Sequence, residues 1–187
     1  MKSELLLVIA LLVLSATTVA KDGGQEFGRL PRTHLFDDVG APGEAVDMFL
    51  QRVGPKLRAY SDATGFEACG AVGYSSATGT YSVSVGTNKS HIACAVHFAA
   101  VLPSFEATGE SIHSHGGTRS FRMNRADKTF MSVPSDARSA ATAFVYGQNI
   151  DTFSERDKAG SAGYLATSTG IIYHDGNWNV TSLDQQP

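Results

Sequence analysis

Apolar and polar positions divide this chain into stretches of different period. Residues 5–14 form an unbroken apolar run behind Lys2, followed by small residues around Ala16, Thr18 and Ala20. A basic start, a short apolar core and a small-residue end is the layout of a secretory signal peptide, with cleavage expected after Ala20. The run is shorter than the roughly 20 apolar residues that a membrane-spanning helix needs. Residues 21–43 mix Gly, Pro and charge without a period and read as an exposed arm or linker. From Glu44 onward Val46, Phe49, Leu50, Val53, Leu57 and Tyr60 recur every three or four positions, which predicts one buried helix face. Gly54-Pro55 is expected to kink or restart that helix.

Beyond residue 65 the texture changes to short segments rich in β-branched and aromatic residues. Strands are predicted over 66–74, 81–86, 91–98 and 110–115, with a turn at 75–79 between the first two. A late hairpin is predicted from 164–167 and 170–173. Residues 137–146 and 154–162 read as helices, each with a start signal. One helix, a run of strands, then helices mixed with strands indicates an α+β fold. Once the leader is removed, roughly 165 residues remain, enough for one domain with its own core.

Composition narrows the function. A net charge of −3 with 18% charged residues excludes a strongly basic nucleic-acid binder. No later segment is apolar enough to span a membrane. An oxidising compartment permits a Cys69–Cys94 disulfide; two small buried apolar residues are the alternative. Neither cysteine has the CxxC spacing of thiol redox chemistry.

The sharpest chemical feature is Ser111-Ile112-His113-Ser114-His115-Gly116. In a strand, residues i and i+2 share a face, so His113 and His115 present two imidazoles spaced to share one metal, and neutral imidazole suits zinc. Two surface histidines are the plain alternative. A catalytic zinc site takes three protein ligands, and Phe153-Ser154-Glu155-Arg156-Asp157 offers the third, Asp157, one turn into a helix that starts at Ser154. The same S-x-x-D pattern is a capping box, which competes for the aspartate. Glu67 stands near the start of an otherwise apolar, glycine-containing strand. There a carboxylate lies either at an exposed strand end or towards a polar site, where it is a candidate general base.

These segments in this order, E-x-C-G-x-x-G at 67–73, H-S-H at 113–115 and F-S-x-x-D at 153–157, resemble the signature of the JAMM/MPN (JAB-like) zinc metallopeptidases. The closing stretch 163–173 is similar to the tail of a bacterial branch of that clan whose members occur among exported and polymorphic-toxin-associated proteins. The resemblance covers about residues 44–176, with 177–187 left as a tail, and implies a cytidine-deaminase-like mixed sheet flanked by helices. It implies zinc on His113, His115 and Asp157, Glu67 holding water and shuttling its proton, and Ser154 helping to stabilise an oxyanion. It further implies periplasmic or secreted hydrolysis of an amide or isopeptide bond, on a peptidoglycan stem peptide or a protein tail. A catalytically silent module of the same fold, binding an effector or inhibitor, is the alternative.

The chain departs from that pattern in an insertion, residues 116–152. Where the family has about seven residues between the second histidine and its serine, this chain has 38. By the logarithmic rule the longer loop costs about 1.5 kcal/mol, small beside the roughly 10–16 kcal/mol of a structural zinc ion. The insertion contains Asp127 and Asp136, alternative ligands to Asp157. Its basic residues Arg119, Arg122, Arg125 and Lys128 recur every third position: one face for an anionic partner if helical, scattered charge if not. His34, His91, His97 and His174 have no partner spacing and carry no assigned role.

Overall fold

The computed structural model describes residues 30–117, 120–131, 144–146 and 149–183. The predicted leader at 1–20 lies outside them. Among the described residues no helix is long and apolar enough to cross a membrane. The first element is a strand, β1 (Thr33–Val39), where an unpaired arm was expected. It pairs antiparallel with β3 at the sheet edge, with a register shift between His34 and Phe36. That irregularity and its mostly exposed residues hide the two-residue period a strand normally shows.

Helix α1 (Val46–Thr64) follows, and its periodic stripe is the buried one: Phe49, Leu50, Val53 and Leu57 are fully buried. Each contributes about 1.5–3 kcal/mol by leaving water. The helix runs without a break through Pro55, contrary to the expected restart. Pro55 is exposed, and buried residues on both sides of it press one axis onto the sheet, which outweighs the lost hydrogen bond. Gly54 is needed for contact: a Cβ there would run into the Ile171 side chain. Gly65 ends the helix in the left-handed region, φ 75°, its N–H bonded to the Ser61 carbonyl at 2.8 Å.

Strands β2 (Ala68–Ser75) and β3 (Thr80–Thr87) form the predicted hairpin, closed by Gly79 at φ 64°. The chain then departs from expectation, since 91–98 is not a strand and only a short 3₁₀ turn, Phe98–Ala100, follows. Both edges of β3 are taken, by β1 and β2. The segment is held instead by single ties, Ala95 N–H to Asn88 Oδ1 at 2.8 Å and a Cys69–Cys94 disulfide. Next come β4 (Glu106–Ser114), β5 (Ser120–Arg122), α2 (Arg125–Phe130) and β6 (Phe144–Tyr146). β5 and β6 make a separate antiparallel pair, so the helix predicted over 137–146 is wrong for its last three residues; its remainder lies outside the described residues. The basic repeat does not form one face, because Arg122 is on a strand while Arg125 and Lys128 are on α2; Arg119 is outside the described residues.

A four-residue helix α3 (Glu155–Lys158), shorter than expected, leads into β7 (Gly163–Ala166), β8 (Ile171–His174) and β9 (Val180–Ser182). The last was read as tail. The fold is a single α+β domain with a mixed seven-stranded sheet in the order β1-β3-β2-β4-β7-β8-β9, in which only β4 and β7 run parallel. Because β1 and β9 belong to that sheet, the folded unit extends beyond residues 44–176 on both sides. The core lies between α1 and the sheet and includes Val72, Val83, Val85, Ile112, Tyr164 and Ile171.

The disulfide joins residues 25 apart in sequence. By the chain-entropy rule, closing such a loop contributes about 3.5 kcal/mol. Reduction is therefore expected to lower the unfolding free energy by that amount, read from urea midpoints with and without reductant. Overlapping midpoints would mean that the non-covalent ties alone hold the 88–97 segment.

Candidate metal centre

β4 alternates its side chains across the sheet. Ser114 turns towards α1, its hydroxyl 2.7 Å from that of Ser61 and donating to the Leu57 carbonyl at 3.3 Å. His113 therefore faces the other way, and His115, just past the strand end, joins it. Their Nε2 atoms are 3.3 Å apart. His115 is 1% exposed, and its Nδ1–H donates to the Asn149 carbonyl at 2.7 Å, which turns Nε2 towards His113 and the cluster.

Asp157 completes the cluster from 42 residues away, with Oδ2 3.2 Å from His115 Nε2 and Oδ1 3.6 Å from His113 Nε2. The predicted capping box is also present: Ser154 N–H and Ser154 Oγ–H both donate to Asp157 Oδ2, at 2.8 and 2.6 Å, and Asp157 N–H donates to Ser154 Oγ at 3.2 Å. The two roles of the aspartate coexist: Ser154 and His115 both meet Oδ2, while Oδ1 lies towards His113. The hydroxyl proton of Ser154 is committed to the carboxylate, so in this arrangement Ser154 positions Asp157 and has no proton to offer an oxyanion. Burial pushes the Asp157 carboxyl up, but hydrogen bonds from His113, His115 and Ser154 prevail and hold it well below the usual carboxylate range. Burial likewise opposes the His115 imidazolium, and is outweighed by Asp157, Glu67 and the Asn149 carbonyl, so its pKa rises.

The ladder partners Ala68 and Ser114 set Glu67 opposite His115 one position further on. Its backbone is clamped on both sides: N–H to the Ser90 carbonyl at 2.8 Å, and C=O accepting from Thr87 Oγ1 at 2.6 Å. The side chain is 4% exposed, and Oε1 has no hydrogen-bond partner. Burial, reinforced by Asp157 and Asp127 and opposed by His115 and Arg156, pushes the carboxyl up to about 8. The exposed strand end weighed for Glu67 is thus not where it lies.

Three metal-ligating side chains from two distant segments converge here. Tetrahedral ligands bound at about 2.0–2.1 Å stand about 3.3–3.4 Å from one another. The two imidazole nitrogens already stand at that spacing, 3.3 Å apart, and with one donor atom taken from each residue all three lie within 4.8 Å of one another. Two imidazoles and a carboxylate are a donor set that zinc accepts, and a nearby cation would relieve the orphaned Glu67 carboxyl by favouring its ionised form.

Asp127 is elsewhere. At the third position of α2 it is fully buried and accepts from Ser90 Oγ, His91 N, His91 Nδ1 and Asn124 N at 2.7 to 2.8 Å, so it is a structural node and no rival ligand. That also gives His91 a partner where spacing suggested none. Asp136 lies outside the described residues. Sequence reading missed two further contributors. The Asn149 carbonyl carries no side-chain signal. Phe153 packs between His113 and His174, with ring centroids 5.9 and 4.6 Å away. His174 is buried, and burial together with His113 lowers its pKa, so it stands there as a neutral ring.

No family model matches the chain, and no curated protein or solved structure is significantly similar to it.

Proposed function

We propose that this protein is an exported zinc-dependent hydrolase of the JAMM/MPN type that cleaves an amide or isopeptide bond, with a peptidoglycan stem peptide or a protein tail as substrate. The observation that carries the proposal is the Glu67 carboxyl, buried and without a partner at Oε1, opposite a cluster of three metal-ligating side chains. A buried polar group without a partner costs about 1–3 kcal/mol. A silent binding module has no use for that cost, whereas a general base needs such a group.

His113, His115 and Asp157 hold the ion. A zinc ion there supplies Lewis-acid polarisation of the scissile carbonyl and an acidified water. Glu67 accepts the proton of the attacking water and returns it to the leaving amine, a task suited to a carboxyl raised towards neutrality. Asn149 fixes the His115 tautomer, and Ser154 fixes the ligand carboxylate. Export is supported by the basic and apolar start of the chain and by the disulfide, a bond that persists in oxidising compartments.

Purified protein is expected to carry about one zinc per chain, and His113→Ala to carry little. Elemental analysis of the two side by side tests the metal, and mass analysis of fragments from purified peptidoglycan tests the reaction. Equal, negligible zinc in both proteins removes the proposal.

A further inference from the structure

Asp127 is fully buried, and the reaction proposed above leaves it without a task. A carboxylate taken out of water is costly unless its lone pairs are met. Here all four sites are filled: Oδ1 accepts from Ser90 Oγ and His91 N, and Oδ2 from His91 Nδ1 and Asn124 N, each at 2.7 to 2.8 Å. Three of those donors belong to Ser90 and His91, which lie in no strand and have no ladder to hold them. The start of α2 also takes the residue before them, since Asn124 Nδ2 donates to the Lys89 carbonyl at 2.7 Å. Lys89 stands in the left-handed region, φ 55°, a conformation that such a residue keeps only where its surroundings impose it. Phe121 of β5, also in the insertion, stacks on the His91 ring with centroids 4.2 Å apart. The insertion thus grips residues 89–91 by backbone, side chain and ring.

What the gripped segment holds in turn is Glu67. That residue precedes β2, so the ladder of the strand does not fix its backbone. Its N–H is taken by the Ser90 carbonyl at 2.8 Å and its carbonyl by Thr87 Oγ1 at 2.6 Å. Thr87 Oγ1 itself accepts from Lys89 N at 2.9 Å, which closes the cradle. Ser90 is fully buried, and its hydroxyl finds its acceptor in Asp127. We infer that Asp127 is the positioning residue for Glu67: through Ser90 it fixes the backbone ahead of β2 and so keeps the Glu67 carboxyl opposite His115. The insertion is then a working part of the site. The bearing of Asp127 on hydrolysis rests on the proposed function; the placement of Glu67 does not.

The test is amide hydrogen exchange on the full chain, read residue by residue by NMR, beside hydrolysis and zinc content. Asp127→Asn is expected to lower the protection of the Glu67 amide by about tenfold or more relative to the amides of β4, the worth of a hydrogen bond to a charged group. In the zinc-loaded protein kcat on purified peptidoglycan is expected to fall by about 10–10²-fold, with KM and zinc content unchanged, as for a displaced catalytic group. In the Glu67→Gln background the same substitution is expected to slow hydrolysis no further, because nothing is left to position. A role confined to stability would lower every protection factor together and add its loss to that of Glu67→Gln. Ile171→Val, in the core and away from the insertion, is the control for such a general loss. Unchanged protection at Glu67, an even loss across the sheet, or additive losses in the double variant would overturn the inference. If the parent holds no zinc and cleaves nothing, the hydrolase proposal fails alone, and the exchange pattern still decides what places Glu67. Should Asp127→Asn not fold, Ser90→Ala, which removes one donor to Asp127, is measured with the same expectations.

Discussion

Replacing Glu67 by Gln is expected to leave the metal in place and to slow hydrolysis by about 10²–10⁴-fold, the usual worth of a positioned general base. The glutamine keeps the size of the side chain and touches no ligand bond, so zinc content is the internal control. A second, opposite effect is expected in the metal-free protein. With its carboxyl raised to about 8 by burial, folded Glu67 keeps a proton that the unfolded chain has released above about 4.5. The folded state therefore binds more protons than the unfolded state across that window, and stability falls as pH rises from about 4.5 to about 8. Glutamine has no such loss, so Glu67→Gln gains on the parent by a few kcal/mol by pH 8. Urea midpoints at pH 5 and pH 8 in the presence of a chelator measure the difference. Parallel pH curves for the two proteins would show that Glu67 is not a buried, raised carboxyl, and the general base would be lost with it.

The second large effect concerns the residue that serves both cap and cluster. Asp157→Asn keeps an oxygen to accept from the Ser154 backbone N–H but loses the charge and a ligand oxygen. Zinc affinity is expected to fall by more than the 10–100-fold typical of losing a supporting hydrogen bond, with little loss of stability. Ser154→Ala gives the reverse weighting. The ligand remains while the cap weakens, for about 1 kcal/mol of stability and about 10–100-fold in affinity. Competition against a chromophoric chelator ranks the affinities, and chelator-treated samples rank the stabilities. Weaker zinc binding by Ser154→Ala than by Asp157→Asn would mean that the aspartate only caps α3.

How far the chain was readable follows from how local each signal is. The stripe from Phe49 to Leu57, the β2–β3 hairpin and the β7–β8 hairpin were legible because period and turn residues act within a few positions. The edge strands β1 and β9 were not, since an edge strand has one neighbour and little buried area to impose alternation. The segment 91–98 looks like a strand by composition and is denied that state by a sheet with no edge left for it beside β3. The role of Phe153 was half legible, as a neighbour of Ser154 but not as the wall between two histidines.

The paired histidines, the S-x-x-D start and the acidic residue at 67 are local chemistry, and the sequence by itself determined that two imidazoles share a face and that a carboxylate follows a helix-starting serine. Which carboxylate meets those imidazoles was decided only by the tertiary structure. Asp127 and Asp157 have similar local settings, each at the third position of a short capped helix. Chain packing sends one to Ser90 and His91 and the other to within 3.2 Å of His115. The reason is that donor type is a property of a residue, whereas the distance between residues 42 apart is a property of the whole sheet that stands between them.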